Sequence, residues 1–163
     1  NMVRRASREL VVEKTREWTP EHERLVEGFL EKRTLDADMV SILKRIPRYV
    51  SRSDTVLVLN ARDQKGALVA FDVMDQGSRD YAFYMFNIVA GDRCLPGASD
   101  LLLSELIDTA AEAGRRFVNL GLGINEGVTF FKKKWGGEPF LPYRYCRRPA
   151  GAGTAIMSLL DRL

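Results

Sequence analysis

The stretch "YAFYMFNIVAGDRCLPGASDLLLSELIDTAAEAGRRFVNLG", residues 81–121, decides the architecture. Residues 81–89 are apolar on both alternating faces, with Tyr81, Phe83, Met85 and Val89 on one side and Ala82, Tyr84, Phe86 and Ile88 on the other. A strand that is apolar on both sides belongs in the middle of a covered sheet. After the loop 91–98, Ser99 stands where a helix N-cap belongs, and Leu102, Leu103, Leu106, Ile107 and Ala110 follow at helical spacing up to Gly114. Residues 116–121 read as a short strand. Strand, crossover helix and strand predict a parallel pair joined right-handed.

Upstream, "SRELVVEKT" reads as an opening strand, and Thr19-Pro20 supplies an N-cap and a first helical residue for a helix with Leu25, Val26, Phe29 and Leu30 on one face. A second, shorter helix is predicted over 36–45, stopping near Pro47. "DTVLVLNARDQKGALVAFDVMD" gives two strands around a Gln64-Lys65-Gly66 turn, an antiparallel hairpin. Downstream, 119–140 supply a loop and a helix, "EPFLPYRYCRR" a last strand and "GTAIMSLLDRL" a terminal helix. The predicted order is β-α-α-β-β-β-α-β-α-β: a mixed sheet of α/β type, antiparallel in its N-terminal part, with a parallel βαβ crossover after it.

With 163 residues, 45% hydrophobic and 29% charged, the chain fits one ordinary domain over 2–163 with enough apolar material for a core. No apolar run approaches the roughly 18 to 20 residues that span a bilayer, and the basic start "NMVRRASREL" is followed by no apolar segment, so the expected location is the cytoplasm, away from any membrane. Cys94 and Cys146 form no Cys-x-x-Cys pattern and His22 is the one histidine, so no metal site is expected. Net charge is only +3, yet 115–148 hold eight lysines and arginines against Glu126 and Glu138, a segment suited to anions.

The glycines of "NLGLGINEGVTFFKKKWGGEPF", residues 119–140, invite comparison with a dinucleotide loop. That reading fails. Glu126 occupies the third glycine position, and the one strand left after the helix ends in Arg147 and Arg148 rather than an acid. The preceding crossover offers a better anion site: Gly97 lies beside free backbone N–H groups and a positive helix terminus, with Arg93 adding charge. The plainer alternative makes Pro96-Gly97 only a turn before a capped helix.

Taken together, the element order, "DRCLPGAS" before "DLLLSELIDTAAEAG", and "NLGLGINEGVTFFKKKWGG" resemble a GNAT acyltransferase domain. "LLLSELIDTAAEAGRRFVNLG" with Phe131-Lys132 and Gly136-Gly137 is similar to the branch containing the Fem aminoacyl transferases and related single-domain acetyltransferases. The resemblance implies acetyl-CoA or another acyl-CoA as cosubstrate, its pantetheine against Asn87, Ile88 and Val89 and its phosphates near Arg93, Gly97, Ala98 and Ser99. Pro96 stands where the family's phosphate loop has its first glycine and removes one N–H donor. Asn125 matches the asparagine that contacts the cofactor, and Lys132 falls where many members carry a tyrosine acid. In the Fem-like branch a Phe-Lys pair stands here, the lysine helping to stabilise anionic reacting groups.

On a helix, Val128, Phe131 and Trp135 share one face, Lys133 lies nearly opposite, and Lys132 and Lys134 flank the apolar stripe, so Lys132 could reach a cleft while Lys133 stays in water. The alternative is three solvated lysines. An acyltransferase needs a base for its amine, with candidates His22, Asp72 and Glu126; Tyr84, Tyr143 and Tyr145 could supply a proton, and Cys94 lacks a partner base. The implied acceptor is an amine of a small molecule, amino acid or peptide. Two rivals remain: a GNAT-like binding module without turnover, and a Fem-like transferase using aminoacyl-tRNA, in which a homodimer would supply the second domain that Fem proteins carry. Binding of other nucleic acids through 115–148 has no supporting motif.

Overall fold

The computed structural model describes residues 2–91 and 95–140, which divide into two compact units, Asn1–Gly121 and Leu122–Leu163. The first contains a five-stranded sheet in the order β1-β2-β3-β4-β5. Its elements are α1 (Met2–Ala6), β1 (Leu10–Thr15), α2 (Pro20–Glu31), α3 (Ala37–Leu43), α4 (Ile46–Arg52), β2 (Val56–Asp63), β3 (Leu68–Asp75), β4 (Tyr81–Val89), α5 (Ala98–Glu112) and β5 (Phe117–Asn119). Strands β1 to β4 pair antiparallel, and β4 pairs with β5 in parallel. This is the mixed sheet that the sequence predicts.

Helices cover both faces. Leu25 and Val26 of α2, Leu43 of α3 and Ile46 and Val50 of α4 join Val56, Val58, Phe71, Val73 and Ile88 in one core, while α5 lies across β1 to β5 and against α1, burying Leu102, Leu103 and Leu106. The fully covered strand is β3, buried at every position but Asp75. The sequence assigns that place to residues 81–89, but β4 is only partly buried because β5 pairs with three of its residues.

Two other local differences have physical causes. Pro47 does not stop a helix; it opens α4 from within its first turn, where a missing N–H costs nothing. Ser99 does not cap α5, because Gly97 holds the N-cap with φ 90°. The predicted last strand and terminal helix, along with Arg93, Cys94, Tyr143, Tyr145, Arg147 and Arg148, lie outside the described residues.

Gly97 is constrained twice. Its φ is left-handed, and an added Cβ would lie 2.8 Å from the Met2 carbonyl oxygen and 3.3 Å from the Ala6 Cβ of α1. Gly114 shares the left-handed φ, at 72°, but has nothing within 4 Å. Gly114→Ala is therefore expected to cost about 1 kcal/mol of backbone strain, and Gly97→Ala at least twice as much, read from urea midpoints. Equal losses would show that α1 does not seat against Gly97.

In the second unit α6 (Glu126–Lys134) is capped by Asn125, whose Oδ1 accepts from the Val128 N–H at 2.9 Å. It ends in a Schellman motif, with Gly136 N–H donating to the Lys133 carbonyl and Gly137 N–H to the Lys132 carbonyl, each at 2.9 Å. Gly136, at φ 76°, adopts the left-handed turn that this stop requires.

Candidate active site

The opening in the first unit follows from strand lengths. Strand β5 stays with β4 only through Tyr81↔Phe117, Ala82↔Val118 and Phe83↔Asn119. Among the described residues, 84–89 of β4 then run on with no strand on that side. On its other side, β4 pairs with β3 through Val73↔Phe86 and Met74↔Tyr84, so Met85 is an extra residue, a bulge. A bulge leaves a position out of the ladder and re-aims the backbone. Among the described residues, an unpaired edge and a bulged backbone therefore meet on one strand.

On the α5 face of this strand, Asn87 joins a partly buried polar chain. Its Nδ2 donates to Asp72 Oδ1 at 2.6 Å, across the directly opposed pair of β3 and β4, and its Oδ1 accepts from Ser99 Oγ at 3.0 Å. Ser99 thus belongs to the first turn of α5, with its hydroxyl turned toward the sheet. Asp72 is fully buried, and among the described residues its Oδ2 has no partner. Burial pushes its carboxyl up to about 8, against the pull of the Asn87 bond. Burial also raises the Tyr84 phenol, reinforced by Asp72 and Asp100, so Tyr84 stays protonated.

The structure redistributes the other cosubstrate-binding candidates. Ile88 is 2% exposed and packs into the α2 core, so its side chain cannot line a cleft on the α5 face. Val89 is partly buried at the strand end. Ala98 is buried and its N–H is committed to the Leu95 carbonyl at 3.1 Å, so that amide is already engaged at the start of α5. One cation escaped sequence reasoning: a Cβ added to Gly91 would lie 2.9 Å from Lys32 Nζ, so the ammonium following α2 crosses over the start of the 91–97 loop. The 59-residue separation left no sequence signal for this approach.

His22 is a correction. It is 0% exposed, stacked on Trp18 and edge-on to Phe71. Its Nδ1 accepts from the Thr19 N–H at 3.0 Å, so Nε2 carries the proton and donates to Asn60 Oδ1 at 2.8 Å. Burial lowers its pKa, the Asn60 bond partly opposing. Neither nitrogen is left for a substrate, so His22 is placed as a core residue rather than as a general base.

In the second unit Glu126 is exposed in the first turn of α6, and Asn125 uses its side-chain oxygen on the helix cap. Lys132 is partly buried while Lys133 is exposed, as the helical geometry predicts, whereas Lys134, the other lysine flanking the stripe, is exposed too. Lys132 Nζ donates to the Leu122 carbonyl at 2.5 Å, and burial lowers its pKa.

A shallow depression of about 620 Å³ on α4 is lined by Arg45, Arg48, Tyr49, Arg52 and Ser53. The Tyr49 hydroxyl donates to Asp75, which sits opposite Phe83 of β4. That basic surface thus attaches to the end of the sheet where β4 begins, whereas the 91–97 loop follows its other end.

A mixed sheet whose parallel pair parts after three residues, with a crossover helix starting just past the strand end, is the arrangement of the GNAT fold, and solved structures of that fold superpose on this chain. An aminoglycoside N-acetyltransferase bound to a CoA-derived bisubstrate analogue superposes with TM-score 0.61 at 14% identity, covering 86% of this chain and 99% of that one. A ribosomal-protein-alanine N-acetyltransferase from Brucella melitensis biovar Abortus 2308 gives 0.60 at 18% identity, with 86% and 99% covered. A GNAT-family acetyltransferase from Streptococcus pneumoniae gives 0.62 at 15%, with 86% and 99% covered. No protein-family model matches the sequence, and no curated protein matches it.

Proposed function

We propose that this chain is an N-acyltransferase that moves an acyl group, an acetyl group in the simplest case, from acyl-CoA to an amine by direct attack. Both units serve one domain acting in the cytoplasm. The observation that carries this reading is the open edge of β4 over 84–89, bulged at Met85 and followed by the start of α5. Pantetheine, an extended amide chain, can hydrogen-bond to such an edge as an added strand does. The pyrophosphate then meets the first turn of α5, where Ser99 stands, with Arg93 and Lys32 as cations. Gly97 supplies the turn's geometry, and Asn87 supports Ser99 from the strand.

In the reaction, the amine lone pair attacks the thioester carbonyl carbon, the carbonyl oxygen takes the negative charge, and collapse expels the CoA thiolate. A backbone N–H at the bulge is the proposed oxyanion donor, and Lys132 the cation that stabilises the anionic groups. Glu126 is the proposed acceptor of the amine proton, since both ring nitrogens of His22 are hydrogen-bonded within the core, and Asn125 orders the start of α6. The arginine surface of α4 favours an acceptor that also carries a carboxylate or phosphate.

Calorimetric titration with acetyl-CoA and CoA tests the reading. Saturable binding is expected, with Lys132→Ala lowering kcat by about 10- to 100-fold and leaving acetyl-CoA affinity within a few-fold. Acceptors would then be screened as matched amines with and without an acidic group. Absence of heat at millimolar acetyl-CoA would sink this reading, favouring an aminoacyl-tRNA donor or a binding module without turnover.

A further inference from the structure

We propose that Asp72 is a positioning residue: the proton it carries sets which way the Asn87 amide is turned, and thereby whether the Ser99 hydroxyl at the start of α5 donates inward to Asn87 or outward to an anion bound there. The role for the anion rests on the acyl-CoA reading above. The chain of groups does not.

The same heavy-atom positions serve two directions of donation. In one, Asn87 Nδ2 donates to Asp72 Oδ1 at 2.6 Å and Ser99 Oγ donates to Asn87 Oδ1 at 3.0 Å. The serine proton then points into the protein, and its lone pairs are what an incoming anion meets. An ionised Asp72, which can only accept, permits this direction alone. In the other, Asp72 is protonated and its O–H donates to Asn87 Oδ1. The amide is turned by 180°, its Nδ2 donates to Ser99 Oγ, and the serine O–H is released to donate to a phosphate oxygen. The two states differ by the single proton on Asp72.

Three features of the site favour such a relay. Asp72 is 0% exposed and its Oδ2 has no partner among the described residues, which do not supply the full set of donors that a buried carboxylate needs. Its lateral neighbours on the sheet are Leu59 of β2, which is apolar, and Asn87 of β4. The titratable groups facing this region are Tyr84 from β4, which senses both carboxyls, and Asp100 from α5. Burial holding the Asp72 carboxyl up near 8 puts the switch within an accessible pH range.

The test has two independent readouts between pH 6 and 9.5. First, the side-chain 13Cγ resonance of Asn87, assigned by its loss in Asn87→Ala, is followed by NMR in the free protein. One inflection is expected in the parent and none in Asp72→Asn. Second, acetyl-CoA, which has no free thiol to titrate, is expected to bind about tenfold more weakly at pH 9 than at pH 7 in the parent, but equally at both in Asp72→Asn and in Ser99→Ala. An inflection at Asn87 with pH-independent acetyl-CoA binding would overturn the coupling to Ser99. Lack of an inflection would overturn the relay itself. If acetyl-CoA binds at no pH, the acyl-CoA reading fails, and the Asn87 resonance alone decides whether the relay stands.

Discussion

His22→Ala is expected to lower stability by about 3–4 kcal/mol at pH 7.5, a large fraction of what a domain of this size possesses. The substitution empties a fully buried site between Trp18 and Phe71 and deprives both the Thr19 N–H and Asn60 Oδ1 of their partner. Cavity formation and stranded polar groups add in the same direction. A pH signature accompanies the loss. Burial depresses the folded-state pKa below the unfolded value of about 6.5. In that window the unfolded chain binds the proton and the folded one does not, so parent stability falls as pH drops from about 6.5 toward the folded pKa. Below the folded pKa this contribution is gone. His22→Ala removes that slope. Urea titrations at pH 5.0 and 7.5 measure both effects, and a loss under about 1 kcal/mol with an unchanged slope would show that the ring is not packed as described. Activity measured well below Tm is expected to stay within a few-fold, because no imidazole lone pair faces a substrate.

Much of this architecture was legible because binary patterning and turn chemistry agree. Thr19-Pro20 sets the start of α2, Gln64-Lys65-Gly66 closes the β2–β3 hairpin, and the leucines of α5 repeat at the helical period. Lys132 against Lys133 was legible for the same reason, since helical geometry alone separates a flanking position from an opposite one. Sequence failed where the deciding contact is long-range. A histidine in a first helical turn is ordinarily wet, and only Asn60, 38 residues on, gives it a place in the core. Pro47 reads as a stop because its neighbours do not reveal that a helix can begin around it. Ser99 reads as a cap, but Gly97, packed closely against α1, holds that position and Ser99 lies within the first turn, where its hydroxyl reaches Asn87. Asp72 was visible only as one acid among several; its isolation depends on β2, β4 and α5 closing around it.

Asp72→Asn is expected to have the opposite pH signature. For a carboxyl whose folded pKa is raised from 3.8 to about 8, the folded chain keeps the proton while the unfolded chain releases it. Its contribution is full below the unfolded pKa and is lost as pH rises toward the folded one, at about 1.4 kcal/mol per pH unit. Asp72→Asn keeps a donor and an acceptor beside Asn87 and removes the titration. The variant should therefore be only slightly more stable than the parent at pH 4.5 and more stable by several kcal/mol at pH 8, with the gap widening by about 3–4 kcal/mol between them. The two buried groups then work against each other. Below about pH 6.5 the histidine slope and the aspartate slope have opposite signs, so the parent should vary little there and weaken only as pH rises beyond it. Asp72→Asn should instead lose stability on acidification alone, and His22→Ala on alkalinisation alone. Chemical denaturation of the three proteins across pH 4.5 to 8.5 resolves these shapes, and parallel curves for parent and Asp72→Asn would mean that this carboxyl is ionised in the fold. That result would also remove the proton on which the orientation of Ser99 depends, because a carboxylate held ionised by unseen donors has only one direction of hydrogen bonding to offer Asn87.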